Sequence, residues 1–211
     1  PEIQEYYEKS YGVSVSKDIG YKIPQMFEAA KEKKLKSLWI IGEDVVQSDP
    51  NSADVIKAMT SLDFLVVQEI FMTETAEYAD VILPATSFLE KSGTFTSAER
   101  RVQRVNAVVE PLEGTKVDGQ IIVDVMNRMG YKQEDYDPAV LLREISEVVP
   151  FFKGIRWSEL GENGKQWPVV EDGTDTKILH KETFKRGRGK FHFWDWVESQ
   201  EIEKNSEEYP F

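Results

Sequence analysis

The sequence predicts an α/β fold: a three-layer, doubly wound, mostly parallel sheet with an irregular C-terminal extension. Three observations carry that expectation. Apolar, β-rich runs at 37–42, 64–68 and 80–83 are too short for helices and lack polar alternation, the pattern of strands buried on both faces. The stretches between them have helical spacing, and βαβαβ order with right-handed crossovers places helices on the two sides of a parallel sheet. The chain has 211 residues, 40% of them hydrophobic and 30% charged, the composition of a globular domain with a packed core.

Each element has a local reason. Pro24 suits a first helical position, where its missing N–H has no partner to lose, and Ile23, Phe27, Ala30 and Leu35 approximate one apolar stripe. The lysine-rich 31–36 run reads as the solvated end of that helix, complementing its dipole. After the first strand, Asp49-Pro50 predicts a second helix with Val55, Met59 and Leu62 on one face. The second strand is followed by a short helix over 73–79, then by a third strand that Pro84 ends, because proline cannot donate to the ladder.

Residues 94–96 and 101–105 read as short strands of an excursion. A helix over 118–129 carries Ile121, Ile122, Val125, Met126 and Met129 on one face and stops at Gly130. Asp137-Pro138 opens another helix, with Leu141, Leu142, Ile145 and Val148 expected to point inward. Residues 1–150 thus read as one α/β domain. Beyond Pro150 the periodicity decays, and residues 151–211, with four of the five tryptophans, read as an irregular wrapping segment.

Composition excludes several function classes. Lys and Arg number 26 against 38 Asp and Glu, and the net charge of −12 repels polyphosphate, so nucleic acid is not an expected partner. The absence of cysteine removes disulfides, cysteine-ligated iron–sulfur clusters and thiolate zinc sites. Two histidines, His180 and His192, leave little material for a triad or a metal centre, and both are expected to be structural or exposed. No apolar run approaches the roughly 20 residues that span a bilayer, and no signal-peptide pattern opens the chain, so membrane insertion is not expected and a cytoplasmic location is. The chain starts at Pro1 and closes on Glu207-Glu208-Tyr209-Pro210-Phe211, which reads as an excised piece; the acidic stretch 198–208 is expected to be solvated.

In open α/β sheets, ligands bind beyond the carboxyl ends of the strands. Those positions here are Gly42-Glu43-Asp44, Gln68-Glu69 and Pro84 onward, and none carries a GxGxxG or P-loop pattern, so ordinary NAD and ATP sites are disfavoured. What stands there is carboxylate and amide. An ionised carboxylate only accepts hydrogen bonds, so it matches the N1–H and exocyclic amine of guanine or two ribose hydroxyls, a role open to Glu69.

The run Leu65-Val66-Val67-Gln68-Glu69-Ile70-Phe71-Met72-Thr73-Glu74-Thr75-Ala76-Glu77-Tyr78-Ala79-Asp80-Val81-Ile82-Leu83-Pro84-Ala85 is similar to the strand–helix–strand of the molybdopterin-dependent oxidoreductases. Glu90-Lys91-Ser92-Gly93-Thr94-Phe95-Thr96 and Glu99-Arg100-Arg101-Val102-Gln103-Arg104 continue the likeness. Met129-Gly130-Tyr131 and Gln166-Trp167-Pro168 turn it toward the large catalytic subunit of formate dehydrogenase, in one register over residues 11–211. The resemblance implies an internal fragment, the third of four domains, with the Rossmann-like architecture of that enzyme's first three domains. It implies a parent enzyme that oxidises formate to carbon dioxide at molybdenum or tungsten held by two molybdopterin guanine dinucleotides. By this likeness the metal ligand and the [4Fe-4S] cysteines would lie elsewhere in the parent chain, and the fragment alone would be inactive and hold no bound cofactor. Its partners would be the remaining domains of its own polypeptide, including a C-terminal β-barrel that begins near Tyr209, and electron-transfer subunits.

The cofactor contacts that the resemblance implies are Asp44, Gln68, Glu69, Lys91 and Asp118. Asn is frequent in the family where Asp44 stands, and Asp where Glu69 stands; the first change loses a donor and the second adds a methylene. Lys91 would supply a cation for the pyrophosphate or pterin. Taken without the resemblance, Asp118 reads equally as an N-cap, Asp44 and Glu69 as solvated loop carboxylates, Gln68 as a strand-end group and Lys91 as a surface lysine. Arg100, Arg101 and Arg104 read as an interdomain surface rather than a phosphate clamp, and Trp194 and Trp196 as packing residues. Two other functions fit the fold: the corresponding cofactor-free domain of the large peripheral subunit of an NADH-quinone oxidoreductase, and a stand-alone interaction module.

Overall fold

The three apolar runs pair as a parallel sheet in the order β1 (Ser37–Ile41), β2 (Phe64–Glu69), β3 (Val81–Pro84). This is seen in a computed structural model that describes residues 2–184, 187–197 and 206–208. Pro1, most of the acidic 198–208 stretch and Tyr209-Pro210-Phe211 lie outside the described residues. The α/β class with parallel pairing is as the sequence predicts.

Register decides which side chains share a face. Leu38 lies beside Leu65 and Ile40 beside Val67, so these four point the same way. They meet α2 (Ile23–Lys31), α3 (Val45–Ser48) and α4 (Ser52–Ser61) in a core of Phe27, Ala30, Val45, Val46, Val55, Ala58, Met59, Leu65, Val67 and Ala76. Removing the Leu65 side chain from water stabilises this core by about 2 kcal/mol. α1 (Glu2–Tyr11), which sequence periodicity did not single out, is tied elsewhere: the Tyr6 hydroxyl donates to the Glu147 carbonyl at 2.6 Å and the Tyr11 hydroxyl to Glu144 Oε1 at 2.9 Å.

Two local expectations are corrected. Asp49-Pro50 does not open a helix. A helical turn at Val45–Ser48 comes first, because it buries Val45 and Val46 together, and α4 then starts after Asn51, held at φ 62°. The 73–79 segment is only a 3₁₀ turn over Thr75–Tyr78, too short to close α-helical bonds.

Beyond the sheet, β4 (Gly93–Thr96) and β5 (Arg101–Val105) form the expected antiparallel excursion, and β6 (Lys165–Gln166) adds to β5. α5 (Asp118–Arg128) and α6 (Pro138–Val148) follow; the Asp137 carboxylate caps α6 by accepting from Ala139 N at 2.8 Å and Val140 N at 3.2 Å. Their inner faces are narrower than predicted. Of α5's apolar stripe only Ile121 is buried, while Ile122 and Met129 are exposed; on α6 Leu142 is buried but Leu141 and Ile145 are exposed.

A second core joins Val102 and Leu142 to Ile155, Leu160 and Val169, with Phe152, Trp157 and Trp167 packed on it. Residues 151–177 therefore belong to one compact unit with everything before them, and the break falls after Lys177 rather than at Pro150. The physical reason is that this stretch contributes one buried side chain at a time from turns, leaving no period to read. In the second unit, 178–211, the His180 ring lies 4.8 Å from that of Phe184, and Phe191, His192, Phe193, Trp194 and Trp196 are exposed. Among the described residues, no helix is long and apolar enough to cross a membrane.

Candidate functional site

β2 alternates its side chains, so Val67 enters the helix-side core while Gln68 points to the opposite face. Gln68 is wholly buried. Its Nε2 donates to Asp118 Oδ1 at 2.9 Å, and its Oε1 has no hydrogen-bond partner. A buried acceptor left unmade is costly, which makes this oxygen a candidate ligand contact.

Asp118 is the first residue of α5, and the N-cap position belongs to Val117. The N-cap role is therefore corrected: the carboxylate reaches away from the helix to Gln68 and to the Lys91 ammonium, which donates to Oδ2. Burial pushes the Asp118 carboxyl up, but the hydrogen bonds from Lys91 and Gln68 and the Lys91 charge outweigh it and hold the carboxyl below its ordinary value. Its place in the first turn also favours the anion.

Lys91 is positioned by the turn before it. The Glu90 carboxylate accepts from Ser87 N at 2.7 Å and Leu112 N at 2.9 Å, bonds that hold it below the usual carboxylate range. The Leu89 carbonyl accepts from Val108 N at 2.8 Å, strapping 108–112 across the turn. Beside the Lys91–Asp118 pair lies a hollow of about 190 Å³, with Gly93, Phe95, Gly119 and Tyr136 among its walls. The Tyr136 ring rests on Gly119, where an added Cβ would come within 2.2 Å of it, so only glycine fits. Gln120 Oε1 accepts from Tyr136 N at 2.9 Å and fixes this approach. Burial, with the charges of Asp118 and Asp137, pushes the Tyr136 phenol up.

The structure thus brings together Gln68, Lys91 and Asp118. Glu69 is next in the chain, but its Oε1 accepts from Ile70 N at 2.7 Å. Asp44 is engaged across the sheet end: its Oδ1 accepts from Thr75 Oγ1 at 2.6 Å and Thr75 N at 3.0 Å, and its Oδ2 from Glu74 N at 3.3 Å. Burial raises the Asp44 carboxyl, while these bonds lower it further, leaving it below its ordinary value. Tyr136 was missed by sequence reasoning; a glycine directly after Asp118, at the start of a helix, was the available signal.

The arginines are anchors. Arg100 donates to the carbonyls of Trp167 and of Thr176 at 3.1 Å, Arg101 pairs with Glu99 at 2.6 Å, and Arg104 lies 5.3 Å from the Trp157 ring centroid. Among the described residues, no cluster of three His, Asp or Glu side chains could hold a metal. The cluster at Gln68, Lys91 and Asp118 offers an unpaired acceptor, a cation and a carboxylate, a set suited to binding a polar ligand.

A family model described as molybdopterin oxidoreductase matches residues 6–128, more than half of the chain. The chain belongs to the molybdopterin oxidoreductase family. It is 39% identical over 211 residues to "Probable oxidoreductase YjgC" of Bacillus subtilis (strain 168), covering 99% of this chain and 21% of that protein. It is 40% identical over 190 residues to a "Putative formate dehydrogenase" of Staphylococcus aureus (strain USA300), covering 90% of this chain and 19% of that protein. The chain thus spans about a fifth of the length of the curated relatives it matches. Acetylene hydratase from Pelobacter acetylenicus has the same fold, with a TM-score of 0.56 at 24% identity, over 78% of this chain and 24% of that one.

Proposed function

We propose that this oxidoreductase-family chain is part of the catalytic polypeptide of a formate dehydrogenase and supplies part of the site for one molybdopterin guanine dinucleotide. The observation that carries the reading is that Lys91 and Asp118, from separate segments, pair in the wall of one glycine-lined hollow, with Gln68 from a third segment hydrogen-bonded to Asp118. The donor set fits such a group. Gln68 Oε1, buried and unpartnered, suits an N–H of a guanine or pterin, Lys91 suits an anionic oxygen, and Asp118 both orients Lys91 and accepts from Gln68. Glu69 at the strand end offers a further carboxylate to a ribose or base edge, and Asp44 holds the loop beside it through Thr75.

In this reading the bound molybdenum or tungsten centre supplies the two-electron oxidation of formate, and the polypeptide segments outside this chain supply the metal ligand and the iron–sulfur clusters. This chain's residues bind and orient: Lys91 balances phosphate charge, Gln68 is oriented by its hydrogen bond to Asp118, and the Tyr136 ring on Gly119 forms one wall of the hollow. Alone, the chain has no catalysis of its own. Its partners are the remaining domains of the longer polypeptide and electron-transfer subunits, in the cytoplasm.

The test is cofactor content in the longer polypeptide. Asp118→Ala and Lys91→Ala are expected to lower the guanine nucleotide released on acid hydrolysis, per mole of protein, by about tenfold while the fold persists, the loss of a charge-assisted contact. Wild-type content in both variants would overturn the reading.

A further inference from the structure

The second core carries a hollow that the Gln68–Lys91–Asp118 cluster does not use. It measures about 650 Å³ and lies between α6 and the chain that returns after it. Small-molecule sites span roughly 300–1,000 Å³. The base is fixed. Ile155 is buried, and the buried Ser146 hydroxyl lies 2.7 Å from the Leu142 carbonyl and 2.8 Å from that of Ile155. This hydroxyl ties α6 to the returning chain, so the hollow is formed before anything enters it.

Positive charge is gathered here. The chain carries −12 overall, yet the hollow is lined by Arg143, Lys153 and Arg156 against Glu147 and Glu171. Lys153 pairs with Glu171 at 2.9 Å. Arg156 Nη1 donates to the carbonyls of Lys153 at 2.6 Å and Ile155 at 3.1 Å, which leaves the Nε and Nη2 donors of its guanidinium without a partner. Arg143 makes no hydrogen bond or ion pair with any described residue, and neither does the Glu147 carboxylate one turn further along α6. Two guanidinium groups with free donors against one free carboxylate leave the hollow net positive.

A guanidinium presents paired N–H donors that match the oxygens of a phosphate or carboxylate. Ile155 and the half-buried Trp157, which has the Arg104 guanidinium over its ring, add apolar surface to the same hollow. We propose that this hollow binds a small organic oxyanion, a phosphate monoester or a carboxylate on a flat apolar body. Arg143 and Arg156 hold the anionic group, and the body rests on Ile155 and Trp157. Glu147 supplies an acceptor for a hydroxyl or amine of the ligand. A concave, charged hollow with a rigid base favours a small ligand over a covering protein segment. The proposal does not depend on the cofactor reading, since none of Gln68, Lys91 and Asp118 lines this hollow.

The test titrates the longer polypeptide, with its cofactor, against phenyl phosphate, benzoate and the neutral control benzyl alcohol, followed by ligand-observed NMR. At least one of the two anions is expected to bind saturably with Kd below about 1 mM, and the tighter of them shows which oxyanion the hollow takes. Benzyl alcohol is expected to bind at least about tenfold more weakly. Arg143→Gln and Arg156→Gln should each weaken the anion by about tenfold, the loss of a charge-assisted contact, and Arg143→Lys should recover part of it. Arg143 has no partner in the described fold, so its variants are expected to keep the wild-type Tm and cofactor content. Lys91→Ala should leave anion affinity unchanged.

Absence of saturable binding of either anion overturns the proposal, including the case in which another segment of the polypeptide fills the hollow. Binding that survives Arg143→Gln combined with Arg156→Gln overturns it too, because the probe then sits elsewhere. Equal affinity for benzyl alcohol does the same by removing the role of charge, and so does anion binding that Lys91→Ala abolishes, which assigns it to the cofactor cluster. Wild-type cofactor content in Lys91→Ala, with anion binding intact, counts against the cofactor reading alone.

Discussion

The two cores of the first unit are built by different means. The core under the parallel sheet comes from repeating elements: β2 delivers Leu65 and Val67 at a spacing of two, and α4 delivers Val55, Ala58 and Met59 at spacings of three and one. The second core draws Val102 from a strand, Leu142 from a helix, and Ile155, Leu160 and Val169 from turns and irregular chain. Regular elements fill space through side chains on a scaffold that satisfies its own hydrogen bonds. Irregular chain has to bring backbone against backbone, and glycine marks those places: a Cβ on Gly154 would fall 1.6 Å from the Val170 carbonyl oxygen, and one on Gly164 2.3 Å from that of Val102. The first core is sensitive to lost volume, the second to added volume.

That contrast is open to direct attack. The largest effect is expected in the first core, where Leu65→Ala should lower unfolding free energy by about 3 kcal/mol in urea titration; a loss below about 1 kcal/mol would show that the sheet core is loosely packed. In the second core, Gly154→Ala should cost about 2 kcal/mol or more by overpacking, whereas neutrality would mean that its backbone contact is soft. Ser146→Ala sharpens the distinction. Its buried hydroxyl lies 2.7 Å from the Leu142 carbonyl and 2.8 Å from that of Ile155, joining α6 to the irregular chain, and its removal should cost about 1 kcal/mol.

The smallest effect concerns acid. Asp44 and Asp118 are both held below the ordinary carboxylate value, so each stabilises the fold fully above the unfolded-state value near 4, and that contribution is lost as pH falls through the lower folded-state value. Asp118→Asn and Asp44→Asn should each flatten the decline of stability below about pH 4. An unchanged slope in Asp118→Asn would show that the Lys91 and Gln68 contacts do not select the charged form.

The parallel strands and the βαβ order were legible because burial on both faces writes itself into consecutive apolar residues. The caps were legible only in part. Asp137 caps α6 as its position before Pro138 predicts, but Asp118, with the same appearance before a periodic helix, stands inside the helix and spends its carboxylate on Gln68 and Lys91. The apolar stripes of α5 and α6 predicted more buried surface than this chain covers, since a stripe records what a helix will touch and not which segment supplies the contact.

By itself the sequence determined the fold class and the family, because these are set by periodicity and by ordered local motifs. Tertiary structure alone decided that Gln68, Lys91 and Asp118 share one hydrogen-bonded cluster while Asp44 turns to Thr75, and that Tyr136 closes over Gly119. Contacts between residues brought together by folding depend on the path of the intervening chain, and that path leaves no spacing to read.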